Sequence, residues 1–144
     1  MLVVEIEGLK EAAEAFKKLG SIGAKHLNVA LTEMAAEGVS AMRQAATPSV
    51  QTGRLRSSLH YETSETRSYV YSDQRGTSFR GNFAEKARNL EVVYGTNVEY
   101  ADNVNEFSKK SKGFLQEGKK HIDKIKDRRM TVNYQTAIDE ALGR

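Results

Sequence analysis

The stretch Leu27–Ala45, LNVALTEMAAEGVSAMRQA, carries the clearest structural pattern in the chain. Its apolar and small residues recur along one stripe for about six turns, at about 3.6 residues per turn. Gly38 lies on this stripe, and a residue without a side chain lets another backbone come close. The pattern predicts a long, packed core helix. We expect it to end near Pro48, because proline disfavours helical geometry in the residue before it.

Two shorter elements precede this helix. Leu2–Glu7 places Leu2, Val4 and Ile6 on one side, which predicts a short half-buried strand. From Leu9 to Leu19 the apolar residues change to helical spacing, with charged residues on the opposite face. This predicts an amphipathic helix that ends at Gly20.

Three later stretches have the period of strands. Ser68–Ser72 places Tyr69 and Tyr71 opposite Val70, and Leu90–Thr96 reads LEVVYGT. Thr52–Glu62 predicts a turn followed by an amphipathic strand, with Leu55, Ser57, Leu59 and Tyr61 on one face and Arg56, Ser58, His60 and Glu62 on the other. The chain therefore predicts an α+β fold, with a small antiparallel sheet of about three to four strands packed by the long helix and a C-terminal helix.

Between the second and third strands lies Asp73–Asn89, DQRGTSFRGNFAEKARN. A loop of this length is uncommon in a compact domain unless it is functional or disordered, so we predict a flexible loop at residues 74–89.

The last third of the chain predicts helices. Glu99–Phe107 carries Tyr100, Val104 and Phe107 at helical spacing, which predicts a short helix docked on the sheet by its aromatic ends. The final segment has one stripe from Leu115 and another ending at Leu142. Their register changes near Arg128 and Arg129, which predicts either two helices or one that bends.

Composition bounds the class of protein. The 144 residues fit one domain, residues 1–144, and carry a net charge of +3 with no cysteine. Disulfides, thiolate chemistry and the usual cysteine-containing zinc sites are therefore excluded. No leader pattern and no stretch of about 20 apolar residues is present, so we expect a soluble, unsecreted chain.

A search for catalytic chemistry finds no candidate site. His26, His60 and His121 fit surface or helix-capping positions better than a catalytic base, and none lies in a nucleophile motif. No metal-binding motif, P-loop or dinucleotide fingerprint occurs. We predict a protein that is not an enzyme and that has no cofactor, no catalytic residue and no metal site.

The predicted loop interleaves basic and aromatic residues, namely Arg75, Phe79, Arg80, Phe83, Lys86 and Arg88. One interpretation is nucleic-acid binding, because cations contact phosphates and aromatics stack on bases. The other is a segment that orders against a neighbouring subunit, which we favour. A steep loss of affinity with salt would identify the first.

The order of short motifs carries a family resemblance. Thr52-Gly53-Arg54-Leu55 follows the proline, Gly95-Thr96-Asn97-Val98-Glu99-Tyr100-Ala101 ends the third strand, Glu106-Phe107 comes next, and Gly113-Phe114-Leu115 opens the last helix. In this order they resemble the small neck or tail-completion proteins of Hong Kong 97-like siphophages. The chain departs from the family's pattern in three places: Gln51 replaces an aspartate, Ser108-Lys109 replaces glycine-threonine, and the prolines before Phe114 are absent.

The resemblance implies a structural virion protein at the phage head–tail junction, or a prophage equivalent, assembled in the host cytoplasm. It implies a homo-oligomeric ring, with a hexamer as the stoichiometry to test, which joins connector proteins of the head to the tail and through which DNA would pass. No membrane and no specific nucleic-acid ligand are implied. Tail terminator, minor tail protein and basic nucleic-acid-binding module remain alternatives. The expected subunit contacts are the loop residues Arg75, Phe79, Arg80, Phe83 and Arg88, and the basic C-terminal helix.

Overall fold

The computed structural model describes residues 9–49, 53–66 and 68–144. In chain order the elements are α1 (Leu9–Lys17), α2 (Gly20–Ala46), a 3₁₀ turn (Thr47–Ser49), α3 (Arg54–Ser58), β1 (His60–Thr63), β2 (Val70–Ser72), β3 (Ser78–Arg80), β4 (Val92–Gly95), α4 (Ala101–Phe107) and α5 (Phe114–Ala141). The strand predicted at Leu2–Glu7 and the motif residue Thr52 lie outside the described residues.

The two long helices α2 and α5 pack along each other and form the largest contact in the fold. The prediction of a core helix that ends before Pro48 is confirmed, because α2 runs to Ala46 and the 3₁₀ turn follows. The C-terminal segment is one continuous helix. α1 packs against both long helices, and its Phe16 meets Tyr134 of α5 edge-on with ring centroids 5.3 Å apart.

The α+β class is confirmed, but the described strands form two small sheets instead of the one predicted. β1 pairs antiparallel with β4, and β2 pairs antiparallel with β3, as two separate two-stranded sheets. The cause lies in the segment predicted as loop, which contains β3. A tight turn there is closed by the Asp73 amide, which donates to the Thr77 carbonyl at 3.0 Å, and by the Asp73 carboxylate, which accepts from the Arg75 and Thr77 amides. This turn gives β2 a local partner.

The predicted turn is followed by a helix before the strand begins, so the predicted alternation from Leu55 to Glu62 is wrong in its first half. Gly53 has a φ of 79°, a left-handed geometry that suits glycine, and the helix α3 begins directly after it. β1 then presents His60 and Glu62 to the interior, which reverses the predicted faces. On β2 the predicted faces are confirmed, because Tyr71 is buried and Val70 is exposed.

The predicted helix near Glu99–Phe107 exists as α4, but its predicted aromatic anchor at the C-terminal end is wrong. Phe107 is 74% exposed, whereas Ala101 is buried and Tyr100 and Val104 are half-buried. The reason is the orientation imposed by Asn105, whose carbonyl accepts from the Gly113 amide at 2.8 Å and whose side-chain oxygen accepts from the Leu115 amide at 2.9 Å. These bonds turn the Asn105 face of α4 inward and leave Phe107 in solvent.

Candidate functional site

Arg54 lies at the junction of the two main sequence motifs. It opens α3, and its guanidinium makes two parallel hydrogen bonds to the Glu99 carboxylate, Nη1 to Oε1 at 2.9 Å and Nη2 to Oε2 at 3.0 Å. Such a bidentate pair fixes geometry as well as charge. The TGRL segment and the YGTNVEYA segment are therefore joined directly.

Aromatic rings surround the same guanidinium. Its central carbon lies 4.3 Å from the ring centroid of Phe79 and 5.7 Å from that of Tyr100, within cation–π range. A hydrogen bond with Tyr71 and the contact with Glu99 raise the pKa of Arg54, although burial opposes the rise. The pKa of Glu99 is lowered by its own backbone amide and then by Arg54. Both groups are therefore held in their charged forms.

A second link between the motifs is a buried hydroxyl pair. Ser58 Oγ donates to the Leu55 carbonyl at 2.6 Å, which uses its one proton. The 2.6 Å contact between Ser58 Oγ and Thr96 Oγ1 must therefore carry the Thr96 proton, while Thr96 Oγ1 accepts from the Val98 amide at 3.1 Å. Every donor in this small network has an acceptor, so the position of α3 against the end of β4 is specified.

His60 and Glu62 form a buried ionisable pair on β1. Their side chains are 4% and 3% exposed, and Nε2 of His60 lies 2.7 Å from Oε2 of Glu62. Nδ1 must donate to the Ser58 carbonyl at 2.8 Å, since a carbonyl only accepts. Oε2 also accepts from the Phe83 amide at 2.8 Å. Both ring nitrogens of His60 therefore have a partner, and Oε2 of Glu62 contacts both the His60 ring and the Phe83 amide.

This arrangement corrects the expectation for two histidines. His60 and His26 were predicted at surface or capping positions, but both are buried. A polar partner explains each one, Glu62 for His60 and the Glu140 carboxylate for His26. His121 is half-buried on α5, in keeping with the expectation.

The β region is crossed by a continuous stack of rings. In order they are Phe83, His60, Tyr69, Tyr71, Phe79, the Arg54 guanidinium and Tyr100. The imidazole of His60 lies 3.8 Å from Tyr69 and 4.2 Å from Phe83, nearly parallel to both. Sequence reasoning missed this stack because its members come from five separate segments. The sequence signal that could have indicated the stack is the presence of aromatic residues at alternate positions in the predicted strands.

The residues predicted as subunit contacts separate into two groups. Arg75, Arg80 and Arg88 are exposed. Phe79 is half-buried, with Tyr71 and Arg54 against its ring, and Phe83 is 1% exposed. The two phenylalanines therefore pack inside the protomer and hold the hairpin in place. The three arginines are exposed on the surface of the protomer.

The third motif lies where α4 meets α5. Phe114 and Leu115 are buried in the main core, whereas Glu106 and Phe107 are exposed. Gly113 before them has a φ of 78°, which turns the chain into α5 without the prolines of the family pattern.

An open groove runs between α2 and α5 beyond this junction. It has a volume of about 360 Å³ and is lined by Ala41, Gln44, Ala45, Glu117, Lys120, His121 and Lys124. Across residues 9–49, 53–66 and 68–144, no group of three His, Asp or Glu side chains could hold a metal ion. No helix within the described part of the chain has the length and apolar character needed to cross a bilayer.

A family model described as "Bacteriophage HK97-gp10, putative tail-component" matches residues 10–106, more than half of the chain. The chain belongs to this family. It is a family of phage structural tail components and not a known enzyme family, which indicates a virion protein. The match includes the Arg54 junction and ends at Glu106, before Phe107 and the α5 motif. No curated protein and no solved structure matches the chain.

Proposed function

We propose that this tail-component family member acts at the head–tail junction, where copies of the chain form a ring that joins the head connector to the tail. The observation that supports this role is the internal use of the motif residues. Arg54 bonds Glu99 and Thr96 bonds Ser58 of the same chain, so these motif residues serve the fold of the protomer. A fold specified in this way suits a building block of an assembly.

The exposed arginines of the β2–β3 hairpin and of the segment between β3 and β4 are the proposed contacts with neighbouring connector and tail proteins. Arg75 lies in the turn, Arg80 ends β3, and Arg88 lies in the segment before β4. Phe79 and Phe83 anchor this region by stacking on Tyr71 and His60. Cations on an anchored support lose less conformational freedom on binding than cations on a loose loop.

The geometry of the aromatic residues disfavours the nucleic-acid-binding alternative. A base would need a free ring face, yet Phe83 is buried and Phe79 already contacts Tyr71 and Arg54. The alternatives within the virion, a tail terminator or a minor tail protein, remain open to test. They predict defects in the tail itself.

The test is a phage in which the gene is disrupted and then supplied in trans. We expect electron micrographs of the disrupted phage to show filled heads and complete tails that are not joined. Tails of abnormal length would identify a terminator, and normal infectious particles would contradict a structural role. Complementation with Arg75→Glu, Arg80→Glu and Arg88→Glu together should fail, while Lys109→Glu, Lys110→Glu and Lys112→Glu together, at three exposed lysines, serve as the matched charge control.

A further inference from the structure

The outer face of α4 carries an aromatic side chain that the described residues leave exposed to solvent. We define this face by its exposed residues, Asp102, Asn103, Glu106 and Phe107. Phe107 is the most exposed large hydrophobic residue in the described part of the chain, at 74%. An aromatic residue bordered by polar groups is typical of a binding surface, where aromatic anchors supply much of the affinity.

The charge of this face has one sign. Asp102 and Glu106 lie one turn apart, and Ala101–Phe107 contains no basic residue. A partner for the face should therefore present cations around an apolar surface.

The α2–α5 groove has that character. Ala41 and Ala45 supply small apolar side chains on the α2 side, and Lys120 and Lys124 stand exposed on the α5 side. Glu117 contacts Lys120 at 3.2 Å, which leaves the lining with a net positive charge. A cavity of about 150 Å³ accommodates benzene. The groove, at about 360 Å³, therefore has room for a phenyl ring and part of a flanking side chain.

We propose that the α2–α5 groove of one copy receives the outer face of α4, with Phe107 inserted, from the next copy. The proposal rests on the proposed function, because it names the contact that builds the ring. The two surfaces are different patches of the same chain, so the contact is heterologous and repeats around a closed ring. The acidic face meets the lysines, and the aromatic ring lies on the alanines.

The first measurement is the mass of the chain in solution across a concentration series. We expect Phe107→Ser, and separately Lys120→Glu with Lys124→Glu, to weaken self-association by about tenfold or more. Val70→Ser is the matched control for removal of an exposed apolar side chain, since Val70 is 63% exposed on β2. Reversal of both sides, with Asp102→Lys and Glu106→Lys added to the two lysine changes, should restore association.

The second measurement uses the absence of cysteine from the natural sequence. A chain with Asn103→Cys and Gln44→Cys keeps Phe107 and should give, on oxidation in solution or in particles, a ladder of disulfide-linked copies. Mixed single-cysteine chains should stop at a 103–44 linked dimer. Asn103→Cys with Thr77→Cys is the control, since Thr77 is exposed in the hairpin turn.

Three results would overturn the inference. A dominant link between two copies of position 103 indicates a two-fold contact, and no 103–44 link in solution or in particles means that the surfaces do not meet. Loss of the chain from virions by Phe107→Ser with unchanged self-association means that Phe107 binds another virion protein. In that last case the proposed function stands. It fails separately if disruption of the gene leaves normal particles.

Discussion

Gly38 on α2 and Gly118 on α5 face each other, and the carbonyl oxygen of Gly38 lies 3.1 Å from the position that a Cβ of Gly118 would occupy. Side chains from the opposite helix also pack against each glycine. A Cβ on Gly38 would lie 2.6 Å from Ile122 Cδ1, and a Cβ on Gly118 would lie 2.6 Å from Met42 Cγ. The close approach of the two long helices therefore depends on the absence of two side chains.

We expect Gly118→Ala to lower the free energy of unfolding by about 1–3 kcal/mol, the usual cost of overpacking. Gly38→Ala should cost less, because the end of the Ile122 side chain can move more easily than a backbone carbonyl. Urea unfolding measures both. Ser40→Ala, at an exposed site of α2, is the control for the gain in helix propensity. Addition of Ile122→Val to Gly38→Ala should recover part of the loss, and an unchanged stability of Gly118→Ala would contradict the close contact.

The His60–Glu62 pair should be costly to break from one side. We expect Glu62→Leu to destabilise the fold by about 1–3 kcal/mol, because it leaves the buried His60 Nε2 and the Phe83 amide without their hydrogen-bond partner. Glu62→Gln should cost less, since its side chain keeps the volume of glutamate and can still hydrogen-bond one of the two groups that contact Oε2, the His60 ring or the Phe83 amide. Urea unfolding compares these variants with the control Glu65→Gln, which makes the same change at an exposed glutamate three residues further along the chain.

A double variant separates the pair from the packing around it. His60→Phe with Glu62→Leu keeps the stack of rings and removes both polar groups, so it should be more stable than either single variant. If Glu62→Leu changes stability by less than about 0.5 kcal/mol, the pair does not contribute as its burial indicates.

Arg54 should stabilise the fold more through its aromatic contacts than through Glu99. The Arg54 side chain is 24% exposed and the Glu99 side chain is 70% exposed, so water screens their ion pair. We expect Arg54→Ala to cost about 1–3 kcal/mol, from two cation–π contacts and the buried stem. Arg54→Lys should recover only part of this loss.

Glu99→Gln is the matched comparison, and it should reproduce a small fraction of the Arg54→Ala effect. A double-mutant cycle of Arg54→Ala and Glu99→Gln, followed by thermal unfolding, gives the coupling between them. Equal losses for the two single variants would mean that the ion pair, and not the rings, dominates.

Tyr94 should make stability depend on alkaline pH. Its side chain is buried, and burial raises the pKa of its hydroxyl to about 12, from an ordinary value of 10.0. The unfolded chain ionises first. Ionisation of Tyr94 therefore leaves the free energy of unfolding unchanged below pH 10 and lowers it as the pH rises from about 10 to about 12. Tyr94→Phe should flatten the fall in unfolding midpoint over that window.

The same variant should not destabilise the fold at neutral pH. The Tyr94 hydroxyl has no hydrogen-bond partner among the residues that the structure describes, and a buried unpaired polar group costs about 1–3 kcal/mol. We therefore expect Tyr94→Phe to gain about 1 kcal/mol. Tyr61→Phe, at a half-buried position of β1, is the control. A loss of stability in Tyr94→Phe at pH 7 would show that the hydroxyl is satisfied.

Sequence patterns predicted the long helices better than the short elements, because a long pattern contains more residues. A stripe maintained from Leu27 to Ala45 averages out local exceptions, although α2 begins seven residues earlier, at Gly20. Arg54–Ser58 is too short for such averaging, and the alternation in RLRSSLHY fits a strand as well as a turn of helix followed by a strand. β3 was missed because its partner is β2 and its signal is the turn chemistry of Asp73, not an apolar run.

Burial of polar groups and exposure of apolar ones could not be predicted from periodicity. His60 is buried because Glu62 and Ser58 satisfy both ring nitrogens, a condition that hydropathy does not register. Phe107 is exposed because hydrogen bonds from the start of α5 fix the rotation of α4. Residue type predicted the candidate contacts, but it does not show that the rings of Phe79 and Phe83 turn inward while the arginines are exposed.

The stack of rings from Phe83 to Tyr100 has a consequence for how the protomer opens. A two-stranded sheet alone is marginally stable in water, and the described residues supply two strands to each of the two sheets. His60 belongs to β1 and Tyr71 to β2, so the stack joins sheets that share no hydrogen-bonded ladder. The two sheets should therefore open as one cooperative unit. Amide hydrogen exchange would report this as a common opening free energy for both sheets, and truncation of Tyr69 would give each sheet its own value.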